Sequence, residues 1–351
     1  MNLYMNKIPP LNKEMGRKVK DYIDTLTKPR GSLGKLEDLA ITLAEMTKSP
    51  YPTVTPPGVI IFAADHGVAE EGVSAYPKEV TKQMVMNFVR GGAAINVFSR
   101  QISAIFSIVD IGVDGDVLQP EVRQRKVRNG TENFLYARAM TREEAKKAVQ
   151  IGMEEGERLI QKGVKCFIIG EMGIGNTTSS SALLYAITSK PLSDIVGYGT
   201  GISEDQKKQK EKVIKRAIEL HKPNREDGYD LLSKIGGFEI AGMVGAMLKA
   251  AEHQIPILLD GYICTVAACV AKIINPNVCH YMIATHCSVE YGHKIALQFI
   301  EKEPLLDLKL RLGEGSGAAV AFPLIVSATL MVNEMTTFSE AGVSSEREET
   351  K

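Results

Sequence analysis

VKCFIIGEMGIGNTTSSSALLYAI, residues 164–187, contains a short apolar run, a glycine-rich turn and an apolar segment of helical length. The first seven residues are rich in β-branched and aromatic side chains, which favour a buried strand. Gly173 and Gly175 allow the backbone to turn sharply, and Asn176 can open a helix behind them. Repeated along a chain, this order of strand, turn and helix gives βαβ units and a parallel sheet.

Four other apolar runs of similar length predict further strands. They are GVIIFAA (58–64), AIFSIVDIG (104–112), IPILLDG (255–261) and HYMIATH (280–286). Amphipathic segments lie between them, such as residues 141–163, in which Thr141 and Glu144 have the spacing of a capping box and Gly163 can end the helix. The alternation of strands with helices predicts an α/β protein.

The ends of the chain differ from this central pattern. Residues 1–57 contain no convincing strand and finish in the proline-rich SPYPTVTPPG (49–58), which predicts a small N-terminal helical domain and a linker. We expect an α/β catalytic domain over 58–310 and a last segment, 311–351, that returns to the small domain. Residues 315–333 are uncharged but interrupted by Gly, Ser and Pro323, so we expect a buried helix rather than a membrane span.

Composition excludes several classes of function. The 42 Lys and Arg residues balance 42 Asp and Glu residues, so no basic excess indicates a nucleic-acid partner. The five cysteines contain no C-x-x-C pair, and the six histidines show no metal-ligand spacing, so neither disulfides nor a metal is expected. The N-terminus lacks a secretory signal, which indicates the cytoplasm. GSLGKL (31–36) is not a Walker A loop, and no G-x-S-x-G elbow is present.

Polar residues follow the predicted strands at the ends where ligands bind in open α/β sheets. They are Asp65-His66-Gly67, Asp110, Glu171, Asp260-Gly261 and Thr285-His286. Any one of them can be an ordinary cap or turn residue. Their repetition favours an active site.

Two segments suit a phosphorylated ligand. The turn at Gly173 and Gly175 opens a helix whose first amides can bind phosphate, although a simple tight turn explains the same residues. GTGISEDQKKQKEK (199–212) is a second glycine turn, with Ser203 as a candidate N-cap and a lysine that could reach the phosphate. The loop 66–77 and the helix behind it could instead line an apolar pocket for a flat ring, or form an ordinary surface loop.

Taken together, ordered blocks along almost the whole chain resemble the nicotinate-nucleotide–dimethylbenzimidazole phosphoribosyltransferases. The blocks include KPRGSLGKLEDLA (28–40), FAADHGVAEEGVSAYP (62–77), GEMGIGNTTSSSAL (170–183), PILLDGYICTVAA (256–268) and LDLKLRLGEGSGAAVAFPLI (306–325). The resemblance implies a Rossmann-like, mostly parallel sheet flanked by helices, with a small helical domain built from both chain ends. It also implies a homodimer and a reaction that needs no metal or organic cofactor.

The same resemblance implies a reaction and a set of site residues. The enzyme would move the 5-phosphoribosyl group of nicotinate mononucleotide to 5,6-dimethylbenzimidazole, giving nicotinate and α-ribazole 5′-phosphate with inversion, a step in synthesis of the lower ligand of cobalamin. Glu314 would be the general base and Glu171 a second active-site carboxylate. The expected phosphate and ribose contacts are Gly173, Gly175, Asn176, Thr177, Lys210 and Ser288, and the expected benzimidazole contacts are Ser74, Tyr76 and Gln83.

The sequence leaves several alternatives open. Lys207, Lys208 and Lys212 compete with Lys210 because helical register decides which lysine faces inward. Cys287 stands where a basic residue is expected. Another base could be the acceptor, and a non-catalytic nucleotide-binding protein is the alternative from a different class.

Overall fold

A computed structural model of the chain describes residues 8–199 and 201–344. The strands are β1 (Pro57–Ala64), β2 (Ile105–Gly112), β3 (Val122–Gln124), β4 (Cys166–Met172), β5 (Ile257–Leu259) and β6 (Met282–Ala284). The helices are α1 (Lys13–Ile23), α2 (Lys35–Thr47), α3 (Val80–Arg90), α4 (Ala94–Gln101), α5 (Arg142–Gln161), α6 (Asn176–Thr188), α7 (Leu192–Ile195), α8 (Glu204–His221), α9 (Gly228–Ile235), α10 (Phe238–Glu252), α11 (Tyr262–Ile274), α12 (His293–Phe299), α13 (Ser316–Glu334) and α14 (Phe338–Ala341). Short 3₁₀ helices span Gly67–Glu71 and Pro276–Tyr281.

The six strands form one parallel sheet in the order β3-β2-β1-β4-β5-β6. This is the order of a doubly wound Rossmann-like sheet, so the predicted fold class is confirmed. Strand order reverses between β1 and β4, where a crevice opens at the carboxyl ends. The central strands are buried along their whole length, as their continuous apolar runs predict.

The sequence pattern did not predict strand β3. β3 has only three residues, Val122, Arg123 and Gln124, and two of them are polar. It pairs with β2 at the edge of the sheet, where one face need not be apolar. Neither length nor hydrophobic pattern distinguishes such a strand from a loop.

Close packing of α5 on α10 closes one face of the sheet. A Cβ atom at Gly245 would clash with the carbonyl oxygen of Val149, and one at Gly152 would clash with that of Gly242. Glycine at these positions therefore lets the two helix backbones touch. Helix α5 starts with the predicted capping box, in which Thr141 and Glu144 bond to each other's backbone N–H groups.

The two ends of the described chain meet beside the sheet. Helices α1 and α2 pack together, and α2 also packs on α13. Backbone hydrogen bonds join Thr27 to Thr336 and Phe338 to Thr25. The domain boundaries stay a prediction, and residues 1–7, residue 200 and the tail 345–351 lie outside the described residues.

Helix α13 has the length and apolar composition of a membrane span, with a mean hydropathy of 1.6. Core helices share these properties, and 61% of its most apolar window is buried within the fold. It packs against α2, α4, β4 and β5. Its first turn lies at the carboxyl end of β5, which places the nearby Glu314 at the crevice.

Candidate active site

A cavity of about 290 Å³ lies at the carboxyl ends of the central strands. Nine of the eleven predicted site residues line it: Ser74, Tyr76, Glu171, Gly173, Gly175, Asn176, Thr177, Ser288 and Glu314. They come from four separate segments of the chain, which the sheet topology brings to one place. The cavity is therefore the candidate active site.

Glu314 occupies an unusual backbone conformation in the wall of this cavity. Its φ is +63°, and those of Gly313 and Gly315 are +84° and +83°. Left-handed backbone disfavours a side chain with a Cβ, so Glu314 needs support from its surroundings, whereas the two glycines adopt this conformation without strain. The side chain of Glu314 is buried, and its Oε2 atom has no hydrogen-bond partner among the described residues. A carboxylate oxygen is thus left available to a ligand.

Asp260, just beyond β5, holds the start of α13. Its Oδ1 atom accepts hydrogen bonds from the backbone N–H groups of Gly317 (2.7 Å) and Ala318 (3.1 Å), and its Oδ2 accepts one from Gly315 (3.1 Å). These donors are the groups that a helix start leaves unsatisfied. The His286 Nε2 atom lies 3.3 Å from Asp260 Oδ1. A carboxylate from one strand end therefore caps the helix that follows Glu314.

Glu171, near the end of β4, lies next to the Glu314 backbone. Its Oε1 atom is 3.4 Å from the Glu314 amide nitrogen, and its Oε2 accepts a hydrogen bond from Asn176 Nδ2. Behind it, buried Glu239 and His66 form a pair with 2.6 Å between Oε1 and Nε2. Glu171 thus connects the glycine turn to the Glu314 loop.

Burial raises the pKa of the carboxyl groups of both Glu171 and Glu314. It raises the pKa of Glu171 to about 8, with a further rise from the negative charge of Glu239. It raises the pKa of Glu314 to about 7, and the nearby Asp260 charge acts in the same direction. A buried carboxylate with a pKa near neutrality suits general-base catalysis.

The glycine turn and α6 form the opposite part of the cavity. Gly175 has a φ of +99° and directly precedes α6, which begins at Asn176. The start of α6 therefore lies at the cavity, where backbone N–H groups and the helix dipole favour an anion.

Lys210 of α8 lies beside the first turn of α6. Its Nζ atom donates to Thr177 Oγ1 at 2.9 Å, and the side chain is buried. Burial lowers the pKa of Lys210 to about 8, against the opposing influence of Glu290. Lys207 is half-buried against Tyr198 and Tyr291, and Lys208 and Lys212 are exposed, so Lys210 is the lysine of this segment that points inward. Ser203 caps this helix through its hydrogen bond with the Gln206 amide, as predicted.

A neutral histidine fixes the backbone of Ser288. His293 Nδ1 accepts the Ser288 N–H at 2.8 Å, and His293 Nε2 lies 3.0 Å from Thr265 Oγ1. Because the Thr265 hydroxyl donates to the Gly261 carbonyl, the Nε2–H must donate to Thr265. Burial lowers the pKa of His293 to about 4, which agrees with this neutral tautomer.

Gln83 is placed differently from the other predicted residues. It lines a neighbouring cavity together with Asp65, Lys78 and Asp114, on the exposed side of α3. Helical spacing put Gln83 within the first turns of α3 but could not show which side of the helix faces the crevice.

Two acidic residues, a histidine and an arginine of the site were not assigned roles from the sequence: Asp260, Glu290, His286 and Arg311. Asp260 and His286 follow strands, and that position was the signal that could have identified them. Arg311 Nη1 donates to the Gly199 carbonyl at 3.2 Å. No cluster of three or more His, Cys, Asp or Glu side chains suited to a metal ion occurs within residues 8–199 and 201–344.

Comparison with known proteins identifies the class of enzyme to which the chain belongs. A family model described as phosphoribosyltransferase matches residues 8–343, and the chain is an enzyme of this class. A relative from Halalkalibacterium halodurans is 50% identical over 97% of this chain and 95% of its own length. One from Chloroflexus aggregans is 47% identical over 98% of each chain.

Both relatives are named nicotinate-nucleotide–dimethylbenzimidazole phosphoribosyltransferase. The crystal structure of CobT from Thermus thermophilus superposes with a TM-score of 0.91 at 40% identity, covering 95% of this chain and all of that one. The chain therefore belongs to the nicotinate-nucleotide–dimethylbenzimidazole phosphoribosyltransferase family, which confirms the resemblance seen in its ordered motifs.

Proposed function

We propose that this enzyme transfers the 5-phosphoribosyl group of nicotinate mononucleotide to 5,6-dimethylbenzimidazole, in cobalamin lower-ligand synthesis. Family membership supports the reaction. The observation that carries the assignment of the site is the buried Glu314 carboxyl, whose Oε2 lacks a partner among the described residues and whose pKa is raised to about 7, beside a helix start suited to phosphate.

The proposed step needs one base and no covalent intermediate. The lone pair of the unprotonated benzimidazole nitrogen forms a bond to the anomeric carbon as the bond from that carbon to the nicotinate nitrogen breaks. The electrons of the broken bond neutralise the pyridinium nitrogen, and nicotinate leaves. Glu314 accepts the proton of the benzimidazole N–H, so the product does not carry an extra positive charge. Attack opposite the leaving group converts the β configuration into α.

The 5′-phosphate would bind at the glycine turn. Gly173, Gly175, Asn176 and Thr177 surround the start of α6, and Lys210 adds a positive charge behind Thr177. Ser288 would contact the ribose from the opposite wall, held by His293. In this arrangement the nucleotide lies between the turn and the Glu314 loop.

The benzimidazole would lie between the Glu314 loop and the segment that carries Ser74 and Tyr76. Both side chains line the cavity, and Met172 and Ile174 add apolar surface. Gln83 faces the neighbouring cavity, so its predicted contact with the base requires its side chain or the loop before α3 to move.

Release of nicotinate tests this function. Purified enzyme should convert nicotinate mononucleotide and dimethylbenzimidazole to free nicotinate, measured by chromatography, with α-ribazole 5′-phosphate identified by NMR. A panel of other benzimidazoles, purines and phenols compared by kcat/KM would identify a different acceptor. Nucleotide binding without turnover on any base would support the non-catalytic alternative.

We also propose that the enzyme is a homodimer and that it is located in the cytoplasm. A homodimer should give twice the mass of one chain in light scattering, and a single-chain mass at working concentration would contradict it. A cytoplasmic location agrees with five cysteines that are all free thiols. Cell fractionation would test it.

A further inference from the structure

The loop around Glu314 cannot maintain its conformation by local hydrogen bonding alone. Helix α13 begins directly after three left-handed residues, and its first amides have no partners within the helix, although the Ser316 amide bonds locally to the Gly313 carbonyl at 3.0 Å. Those of Gly315, Gly317 and Ala318 all donate to the single carboxylate of Asp260. Asp260 is itself only 3% exposed, so water offers little replacement.

The side of Asp260 next to α13 is also closely packed. A Cβ atom at Gly317 would lie 2.9 Å from Asp260 Oδ1 and would clash with the His286 ring. Asp260, His286 and the first turn of α13 therefore fit together only because residue 317 is glycine. A shift of Asp260 would release the helix start and, with it, the neighbouring Glu314.

We propose that Asp260 is a positioning residue for the transfer, which holds Glu314 in place through the first turn of α13 and directs its negative charge toward the Glu314 carboxylate. This inference rests on the proposed function, because it assigns Asp260 a part in the work of Glu314. Asp260 itself makes no bond with the reacting atoms.

The negative charge of Asp260 acts on the pKa of Glu314 in a definite direction. The charged groups and the histidine that line the cavity with Glu314 are Glu171 on β4 with Glu239 behind it, Asp260 after β5, His286 and Glu290 after β6, and Arg311 on its own loop. The other titratable side chains of the lining are Tyr76, Tyr262 and Cys264. Among them, Asp260 is the neighbour whose charge raises the pKa of Glu314, in addition to burial. A higher pKa makes Glu314 a stronger base, so removal of the Asp260 charge should weaken it while leaving it ionised at lower pH.

Asp260→Asn separates this role from a merely structural one. Asparagine keeps an acceptor oxygen but loses the charge. We expect the plateau of kcat to fall by about 10-fold or more. The acidic limb of the pH profile should move to lower pH. The KM for nicotinate mononucleotide should stay within about 2-fold of wild type, because the phosphate contacts are separate.

Asp227→Asn is the matched control. Asp227 also caps a helix with its carboxylate, accepting from Tyr229 and Asp230 at the start of α9, and it does not line the cavity. It should leave kcat and the pH profile unchanged. An Asp260→Asn enzyme that is folded and has the wild-type kcat and acidic limb overturns the proposal. A uniform fall in kcat with an unmoved limb overturns it as well, since only a structural role would remain.

Gly317→Ala is a second variant that tests the proposal if Asp260→Asn does not fold. The added methyl displaces Asp260 and His286 without changing any charge. A fall in kcat with nucleotide binding retained supports the positioning role, and wild-type kcat contradicts it. Wild-type enzyme that releases no nicotinate would refute the proposed function instead, so the two failures are distinguishable.

Discussion

The carboxyl group of Glu171 lies at the backbone of Glu314, with 3.4 Å between Oε1 and the amide nitrogen. The same side chain bonds to Asn176 at the start of α6. One buried acid therefore contacts both the loop that carries the proposed base and the turn proposed to bind phosphate. This contact couples the stability of the site to the protonation of its carboxyl groups.

Glu171→Gln should stabilise the enzyme at alkaline pH. The pKa of Glu171 is raised from 4.5 to about 8 in the folded state, so the folded protein binds this proton more tightly than the unfolded chain. Its contribution to stability is fully present below pH 4.5 and is lost as the pH rises through 8. At pH 9 the variant should gain on the order of a few kcal/mol in the free energy of unfolding.

Urea unfolding at several pH values measures this effect. The gain should shrink steadily as the pH falls toward 5. Glu132→Gln, at an exposed carboxylate outside the cavity lining, should show no such trend. A Glu171→Gln variant less stable than wild type at pH 9 would contradict the raised pKa.

Gly313→Ala should impair catalysis beyond its effect on stability. Alanine at a φ of +84° costs about 1–2 kcal/mol in backbone strain. The new Cβ would also lie 2.5 Å from Glu171 Oε1, so the Glu171 side chain must move. We expect a lower melting temperature together with a clear fall in kcat.

Gly163→Ala is the matched control for strain. Its φ is +89°, and a Cβ there would meet no atom within 4 Å. It should lower the melting temperature by a similar amount and leave kcat unchanged. Equal kcat in both variants would show that the Glu171 contact does not matter for turnover.

Lys210→Met should weaken binding of nicotinate mononucleotide. Loss of a charge-assisted contact to phosphate costs about 1.5–3 kcal/mol, which corresponds to a rise in KM of about 10-fold to 150-fold. Lys208→Met, on the exposed side of the same helix, is the control and should have the wild-type KM.

The pH dependence of KM gives a second check on Lys210. Because the pKa of this buried amine is lowered to about 8, the free enzyme loses the positive charge as the pH rises through 8. The wild-type KM should therefore increase above pH 8, and the KM of Lys210→Met should not. A parallel increase in both enzymes would assign the effect to another group.

Much of the sheet could be predicted because its strands are continuous apolar runs. The stretches at 58–64, 104–112 and 164–170 coincide with β1, β2 and the start of β4. The edge strand β3 could not, because three residues with two polar side chains have no distinctive pattern. The sequence also contains no direct signal for the order of the strands, which depends on long-range pairing.

The sequence indicated which residues lie at the cavity where a glycine turn fixes the backbone, but not where the rotation of a helix sets the direction of a side chain. Glycines at 173, 175, 313 and 315 marked the turns around the cavity. Gln83 faces a different cavity because the rotation of α3 depends on its packing. Asp260 was recognised as a residue at a strand end, but its bonds to α13 join positions more than fifty residues apart. Local pattern cannot reveal such a contact.

The central claim is that Glu314 takes the proton from the acceptor base. Its most direct test is kcat for Glu314→Gln, measured as nicotinate release across the pH range, with nucleotide affinity determined separately by calorimetry. We predict a loss of about 100-fold to 10,000-fold in kcat with the affinity for nicotinate mononucleotide retained. Wild-type activity should decline as the pH falls through about 7, where Glu314 becomes protonated, and the variant should lack this limb. A Glu314→Gln enzyme with wild-type turnover, or with the same acidic limb, would contradict the account.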